Sequence, residues 1–513
     1  MAASAVAGAR PQSHSSPHLG SSRLRARRKK SVRREAPETL FARLSEHVTL
    51  KAHTDGKLFA CFGAHSVGVG MFTEDAADRA KGLRAGLPIA SFASGHRKND
   101  KDVDLLVRRL ARLGLLEFGL RHSPSDEGDQ VVIEPQVSDY WPRPARLRDT
   151  DVVVLSRFAY LRRRGAEMVL ESPRAAAVFT IRDPQIAVAL VTLTTPQQAK
   201  RLRRLNGVVS ANLLALLIDC RIAFKVSATG DLGRRSAEGD DQLVLWDFHD
   251  LLFHARSTEG RHANPLGGLA PYANAIAPLP ALRPRWPGQM IDLGGQADSY
   301  SLPASPFATL LNKRRSTREF DPLRPITLGE LARFLAASAG VLSTAKGAMN
   351  GNGPDIEYTH RPYPSAGASY ELELYLGVNN CDGLARGFYH YDAGAHGLVP
   401  IDVGAEEFNG LLTGAQFAMA APAAPQILIT ITARFGRVSW KYSSIAYSLI
   451  LKDVGVLLQT FYLMAADMDL GGCAIGITNI ELFAGMTGIE FHVEGPVGQF
   501  ALGRGANPES GFR

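Results

Sequence analysis

The chain of 513 residues has few cysteines, and the four that it has lie far apart. Cys61, Cys220, Cys381 and Cys473 form no CxxC pair, so neither a thiolate zinc site nor a disulfide framework is expected. No unbroken apolar run reaches the roughly 18 residues that a membrane helix needs. The N-terminus also lacks the apolar core of a secretory signal. These absences favour a cytoplasmic protein with reduced thiols and no membrane partner.

Acidic residues are missing from positions 1–34, which hold nine lysines and arginines. Subtracting these nine charges from the net charge of +8 leaves −1 for the rest of the chain. The basicity therefore belongs to a tail, and nucleic acid is not the expected partner of the whole protein. Residues 1–35 are predicted to be a disordered extension, because Arg, Ser, Pro and Gly bury little apolar surface. A transit peptide or a nucleic-acid arm is the alternative for this tail.

Two segments of the N-terminal half share a pattern of a helix followed by a strand. They are VDLLVRRLARLGLLEFGLRH (Val103–His122) and NLLALLIDCRIAFKVSATG (Asn212–Gly230). Leucines at helical spacing that lead into a short apolar run are typical of the end of a winged-helix unit. We predict two winged-helix-like units, at 36–135 and 136–240. The second helix is apolar on every side, which favours contact with protein or peptide over DNA.

Residues 241–290 are predicted to link these units to the C-terminal part. His249 and His254 are five apart, whereas two ligands on one helical face need a spacing of three or four, so no metal site is expected. The proline-rich stretch IAPLPALRPRWPG (Ile276–Gly288) places a boundary near residue 290. Residues 291–513 then mix apolar helices with β-type runs, which predicts an α+β domain.

Several elements of this α+β domain can be predicted individually. SPFATLLNKRRSTREFDPLRPITLGELARFLAASAG reads as helix, turn and helix, and Thr327 and Glu330 form a capping box for the second helix. LELYLGV, APQILITITARF and VEGPVGQFALGRG are strand candidates. Val438–Gln459 (VSWKYSSIAYSLILKDVGVLLQ) is predicted as one helix, and GVLLQTFYLMAADMDLGG as a further apolar helix.

Four short motifs in the C-terminal part carry the chemistry. RRSTREF (Arg314–Phe320) gathers guanidinium groups and a hydroxyl that suit a phosphate, although an exposed basic turn is the alternative. A Pro-Ser-Ala-Gly turn at 364–367 and the stretch DLGGCAIG (Asp469–Gly476) let a ligand approach the backbone closely. Gly503-Arg504 adds one more guanidinium. Each motif alone is weak, but the four in this order, with a Lys-Tyr pair between the second and third, are specific.

With these motifs, residues 300–505 resemble the SagB/ThcOx-type azoline dehydrogenases. These are FMN oxidases of the nitroreductase fold from ribosomal peptide natural-product pathways. WDFHDLLFHARS (Trp246–Ser257) is similar to the segment that joins the peptide-binding and oxidase parts of cyanobactin thiazoline oxidases. The resemblance implies oxidation of azolines in a precursor peptide, FMN as the cofactor, and a homodimer with FMN at the subunit interface. It also agrees with winged-helix peptide clamps in the N-terminal half.

The resemblance further assigns residues to the cofactor and the reaction. The phosphate and ribityl side of FMN would be held by Arg314, Arg315, Ser316, Arg318 and Arg504. Its isoalloxazine would be lined by Pro364, Ser365, Ala366 and Gly367, and its polar edge by Ile475 and Gly476. The catalytic pair would be Lys441 and Tyr442. One departure is Ala446-Tyr447-Ser448, where members of the family often have Ala-Tyr-Arg.

The Lys-Tyr pair leaves two roles open. Either Lys441 or Tyr442 could remove the ring α-proton as general base; alternatively, Lys441 extends into solvent at a helix start and Tyr442 packs in the core. Two other functions compete with azoline oxidation. One is a nitroreductase-like NAD(P)H-dependent reductase of small molecules, and the other is a flavin-free scaffold that binds a precursor peptide. The sequence does not distinguish thiazoline from oxazoline, or a linear from a macrocyclic substrate.

Overall fold

The computed structural model describes residues 39–53, 56–62, 65–93, 98–121, 128–206, 210–226, 238, 240–261, 267–268, 270, 272–293, 305–348 and 354–506. The predicted basic tail, residues 1–35, lies outside the described residues.

The N-terminal half alternates short strands and helices. Its strands are β1 Thr39–Leu44, β2 Val48–Ala52, β3 Lys57–Phe62, β4 His65–Met71, β5 Leu87–Pro88, β6 Leu116–Arg121, β7 Val131–Pro135, β8 Val152–Leu155, β9 Tyr160–Arg164, β10 Glu167–Glu171, β11 Ala177–Ile181, β12 Gln197–Gln198 and β13 Ala223–Val226. Its helices are α1 Glu74–Lys81, α2 Ala90–Ala93, α3 Lys98–Arg112, α4 Pro184–Val191, α5 Ala199–Asn206, α6 Ala211–Asp219, α7 Asp241–Val244 and α8 Phe248–Arg256.

The C-terminal part has longer helices and strands. Its strands are β14 Ile326–Thr327, β15 Ser343–Ala348, β16 Asp355–His360, β17 Leu372–Val378, β18 Cys381–Asp382, β19 Gly387–Asp392, β20 Gly397–Ile401, β21 Ile427–Arg434, β22 Gly471–Ile475 and β23 Glu494–Gly503. Its helices are α9 Pro306–Lys313, α10 Leu328–Ala339, α11 Ala405–Ala418, α12 Gly436–Ser439, α13 Ala446–Asp467 and α14 Ile480–Thr487.

The N-terminal half is an internal duplication at the level of its topology. The order β1, three antiparallel strands, α1, a 3₁₀ turn, β5, α2, α3, β6 recurs as β8, three antiparallel strands, α4, a 3₁₀ turn, β12, α5, α6, β13. The strand orders β5-β1-β6 and β12-β8-β13 also correspond. The predicted helix-then-strand repeat is therefore confirmed as α3–β6 and α6–β13, while the winged-helix assignment and the boundary between the units stay predictions. Both copies contribute to one hydrophobic core.

The C-terminal part is built on a six-stranded antiparallel sheet of order β20-β19-β17-β21-β23-β22. The predicted strands LELYLGV, APQILITITARF and VEGPVGQFALGRG correspond to β17, β21 and β23, and every residue of β23 is buried. Helices α10 and α13 cover one face of the sheet, and α11 and α14 cover the other. Because strands and helices segregate into layers on an antiparallel sheet, the predicted α+β class is confirmed. The Thr327–Glu330 capping box is present as well.

The prediction of one helix over Val438–Gln459 is wrong. The chain instead forms the short helix α12, turns at Ser444, where φ is +64°, and starts α13 at Ala446. A non-glycine residue in the left-handed region cannot continue a right-handed helix, so the break lies between the Lys-Tyr pair and the long helix. The two apolar helices expected after residue 438 are one helix, α13. Lys441 and Tyr442 therefore precede that helix instead of starting it.

Helix α13 is long and apolar enough, by length and composition, to cross a membrane, with a mean hydropathy of 1.5 in its most apolar stretch. It is the central helix of the C-terminal part, and its buried side chains, Ile450, Leu457 and Phe461 among them, belong to the core beneath the sheet. Packing in that core accounts for these buried side chains, which make up 33% of the most apolar stretch.

Two acids lie buried side by side where the chain enters β17. Glu371 is fully buried and Asp453 on α13 is nearly so. The Ser365 hydroxyl lies 3.2 Å from a Glu371 oxygen and 3.0 Å from an Asp453 oxygen, and it accepts a hydrogen bond from the Tyr370 N–H. A hydroxyl has only one proton to donate, so a protonated Glu371 would supply the second proton that two hydrogen bonds need. Burial and the neighbouring charge of Asp453 raise the pKa of Glu371 to about 7.

This carboxyl pair predicts a specific dependence of stability on pH. Because the pKa of Glu371 is higher in the folded chain than in the unfolded chain, its contribution to stability is full at acidic pH and is lost as pH rises towards 7. Glu371→Gln, which stays neutral, should flatten the fall in melting temperature between pH 5 and pH 8. Glu406→Gln, at an exposed position in the first turn of α11, is the matched control. If the melting temperatures of wild type and Glu371→Gln change with pH in parallel across this range, Glu371 is ionised throughout.

Candidate functional site

The Lys-Tyr pair meets the Pro-Ser-Ala-Gly turn at Gly367. Lys441 Nζ donates to the Gly367 carbonyl at 3.2 Å. A Cβ atom built on Gly367 would lie 2.4 Å from the Tyr442 hydroxyl and 2.7 Å from Lys441 Nζ. Gly367 also has φ +58°, a conformation that other residues seldom adopt, so both the space and the backbone require glycine here. The structure therefore brings together two motifs that are more than 70 residues apart in sequence.

The turn itself is held from below by α13. Asp453 accepts hydrogen bonds from the Ser365 hydroxyl and, at 2.8 Å, from the Ala366 N–H. Beyond Gly367, Ala368 and Tyr370 also have positive φ values, +54° and +44°. Several residues in a seldom-populated conformation within one turn mark a backbone that its surroundings over-determine, as functional sites often do.

A cleft of about 550 Å³ opens beside this turn. Gly367 and Lys441 line it, together with Trp440 and Tyr358 of β16. Gln242 and Leu245, from the segment that precedes α8, also line it. This volume is typical of a pocket for a ligand of drug size. The cleft therefore places the exposed Lys441 side chain where a bound molecule can reach it.

The RRSTREF motif follows α9 directly and ends in an isolated β-bridge between Phe320 and Gly505. The Ser316 hydroxyl lies 2.8 Å from the hydroxyl of Tyr462 on α13, and Arg314 stacks over the ring of Tyr462 at 5.2 Å. The Ala474 N–H donates to the same Tyr462 hydroxyl at 2.8 Å, so β22 and the basic stretch share one anchor. Within the described residues, Arg314, Arg315 and Arg318 form no ion pair with a carboxylate. A cluster of unpaired guanidinium groups suits an anion.

The other predicted cofactor residues are placed less directly. Ile475 is buried at the end of β22, and Gly476 is exposed with open space around the position of a Cβ. Arg504 is already engaged, because its guanidinium makes two hydrogen bonds of 2.7 and 2.9 Å to the Glu330 carboxylate. Pro364 lies in the turn described above. The assignment of all these residues to a cofactor stays a prediction.

Helix α13 connects the turn and the basic stretch. Asp453 and Tyr462 are nine residues apart on it, which at 1.5 Å per residue is about 14 Å along the helix axis. No sequence motif marked these two residues, or Glu371, as parts of the site. The sequence did contain a signal for the two acids. Asp453 lies within the apolar stretch of α13 and Glu371 leads into the apolar strand β17, and an acid in such a place needs buried hydrogen-bond partners.

Tyr447 lies in a different environment from Tyr442. Its side chain is almost fully buried, and its hydroxyl lies 3.1 Å from His254 Nδ1. Burial raises the pKa of Tyr447 to about 12 and lowers that of His254 to about 3. Tyr447 is therefore a neutral core residue paired with a neutral imidazole, and it does not line the cleft.

Comparisons with known proteins agree with this architecture. Residues 311–504 match the model of the nitroreductase family, and residues 153–263 match the model described as cyanobactin oxidase ThcOx. The protein MJ1384 of Methanocaldococcus jannaschii, which is named a nitroreductase, is 34% identical over 167 residues, or 33% of this chain and 76% of that protein.

Two solved structures are also similar. The Escherichia coli microcin synthetase McbBCD complex with truncated pro-MccB17 bound is 17% identical over 52% of this chain and 97% of that chain, with a TM-score of 0.38. The NADPH:FMN oxidoreductase of Vibrio harveyi is 13% identical over 40% of this chain and 72% of that chain, with a TM-score of 0.26. Because these TM-scores are below 0.5, neither likeness carries a conclusion about this chain.

The two model matches cover complementary parts of the molecule. The nitroreductase match spans the six-stranded sheet with its helices, the basic stretch and the Lys-Tyr pair, and the cyanobactin oxidase match ends just after α8. The chain therefore belongs to the nitroreductase family of oxidoreductases, and it carries its nitroreductase domain behind a ThcOx-type segment.

Proposed function

We propose that this protein is an FMN-dependent oxidase that converts azoline rings of a ribosomally made precursor peptide to azoles. The observation that carries the proposal is the contact of Lys441 and Tyr442 with Gly367, at the edge of an open cleft in a nitroreductase domain. The ThcOx match over residues 153–263 supports a peptide azoline as the substrate.

The residues present fit FMN at both of its ends. Arg314, Arg315 and Arg318 are cationic and free of carboxylate partners in the described part of the chain, as a phosphate site requires. About 14 Å along α13, the Pro364–Gly367 turn offers small residues and a tightly held backbone to a flat ring. FMN, when bound, would accept the hydride that leaves the azoline ring. A homodimer with the cofactor at the subunit interface belongs to the same proposal.

The side chains of the chain itself would supply the proton chemistry. Oxidation of an azoline removes a proton from the ring α-carbon and a hydride from the β-carbon, so the ring loses two hydrogens and becomes aromatic. Lys441 or Tyr442 would take the proton, because both polar atoms converge on one point beside the cleft. The cleft would hold the ring in place, which makes the transfer effectively intramolecular.

The decisive experiment is mass spectrometry of a heterocyclised precursor peptide incubated with the purified protein and oxygen. The expected result is the loss of two hydrogens per ring together with a flavin spectrum of the protein. A protein without flavin would support the scaffold alternative. Flavin that NADPH reduces and the peptide does not would support a small-molecule reductase.

Replacement of Arg314 and Arg318 by Ala tests the phosphate end. Each charge-assisted contact contributes roughly 1.5–3 kcal/mol, so the double variant should bind FMN about 10²–10⁴-fold more weakly. Fluorescence titration of the apoprotein with FMN measures this affinity. Arg333→Ala, at an exposed position on α10, is the control and should bind FMN as wild type does. Wild-type affinity in the double variant would place the phosphate elsewhere.

Replacement of Lys441 by Ala and of Tyr442 by Phe tests the proton transfer. Both variants should retain FMN, because neither side chain belongs to the basic stretch. Loss of a sole general base should slow flavin reduction by about 10²–10⁴-fold in anaerobic single turnover. If the two act as a unit, the double variant should lose little more than the slower single variant. Wild-type reduction rates in both single variants would show that the base lies elsewhere.

A further inference from the structure

Ser444 links the Lys-Tyr pair to α13 in a conformation that serine seldom adopts. Its φ of +64° lies in the left-handed region, and it is only two residues from Tyr442. On its other side the pair is held by α12, because the N–H groups of Lys441 and Tyr442 both donate to the Val438 carbonyl. Because Asp453 of α13 holds the turn that contains Gly367, a change of Ser444 to an ordinary backbone conformation would shift the pair relative to Gly367.

Both backbone groups of Ser444 are held by side chains of a distant segment. The Ser444 N–H donates to the carboxylate of Asp247, and His249 Nε2 lies 3.0 Å from the Ser444 carbonyl. A carbonyl only accepts, so His249 donates here through Nε2–H. Asp250 accepts the Tyr447 N–H at 3.2 Å, in the first turn of α13. Three polar side chains around the start of α8 thus form hydrogen bonds with the stretch that follows the Lys-Tyr pair.

The segment that contains Asp247 and His249 contacts both halves of the molecule. Trp246, which is almost fully buried, donates its Nε1–H to the His492 carbonyl at 2.8 Å. Arg157 of the N-terminal half donates to the Trp246 carbonyl at 2.8 Å. At the other end of α8, Arg256 pairs with Glu171 of β10. The position of Asp247 and His249 is therefore set by contacts with both halves.

We propose that Asp247 and His249 are positioning residues that clamp Ser444 and thereby hold Lys441 and Tyr442 against Gly367. The N-terminal half then contributes to catalysis through α8, in addition to any contact with peptide. These two side chains satisfy both the N–H and the carbonyl of Ser444, which lies outside the helices and strands. This inference rests on the proposed role of Lys441 and Tyr442 in proton transfer.

The activity test compares Asp247→Ala and His249→Ala with Asp241→Ala, an exposed acid on α7 that serves as control. Without the clamp, single-turnover flavin reduction by an azoline peptide should slow roughly 10- to 100-fold, the effect of a misplacement of about 1 Å. The KM for the peptide and the FMN content should stay within about twofold of wild type, because neither residue belongs to the proposed FMN site. Asp241→Ala should behave as wild type. A wild-type rate in both clamp variants overturns the proposal.

Two rescue variants separate positioning from a general loss of stability. His249→Gln retains an N–H donor and should recover most of the rate that His249→Ala loses. Glycine adopts positive φ without strain, so Ser444→Gly in the Asp247→Ala background should also recover part of the rate. If Asp247 only stabilised the fold, Ser444→Gly would recover none of the rate, because glycine makes the backbone more flexible. Failure of both rescues therefore contradicts the clamp.

Hydrogen exchange tests the clamp without reference to activity. The amides of Ser444 and Tyr447 donate to Asp247 and Asp250, so peptides covering 440–449 should exchange slowly in wild type and faster in Asp247→Ala. Unchanged exchange in Asp247→Ala refutes the clamp even if the enzyme oxidises azolines. Faster exchange in a protein that fails to oxidise any azoline peptide preserves the clamp and refutes the proposed function instead.

Discussion

The carboxylate of Asp453 is the contact on which the candidate site depends. It is buried in an apolar helix, where an unpaired charge would be costly, and it is satisfied by the backbone and side chain of the Ser365–Ala366 turn. The turn is therefore fixed to α13, and Gly367 is presented to Lys441 and Tyr442 from that fixed point. Nine residues further along the same helix, Tyr462 fixes both the basic stretch and β22. One helix thus sets the spacing between all of these groups.

The N-terminal half enters this arrangement through the segment that precedes residue 260. Leu243, Trp246 and Leu251 belong to the same core cluster as α13 and the six-stranded sheet, and so does Phe158 of the N-terminal half. Residues 241–256 are consequently part of the packing of the C-terminal domain, although they were predicted to be a linker. The ThcOx-type segment and the nitroreductase domain share a core through these residues. Removal of the N-terminal half would expose apolar surface beside the candidate site.

The sequence predicted local features well where one physical signal dominates. Strong apolar runs predicted β17, β21 and β23, and the Thr327–Glu330 spacing predicted the start of α10. It failed at Ser444, because the apolar stripe of α13 continues in phase across the break and serine gives no warning of positive φ. The conformation there depends on Asp247 and His249, almost 200 residues earlier. Contacts of such long range leave no periodic trace in the sequence.

The four motifs were predicted to bind one ligand together. In the structure they differ in the partners that they already have. The Lys-Tyr pair and the Gly367 turn meet directly, whereas Arg504, assigned to the same phosphate as Arg314, is held by two hydrogen bonds to Glu330. Glu330 also accepts the Thr327 N–H as part of the capping box of α10. A phosphate at Arg504 would have to compete with a carboxylate that is fixed by the start of a helix. Arg314, Arg315 and Arg318 face no such competitor in the described chain, so the affinity for an anion should reside mainly in them.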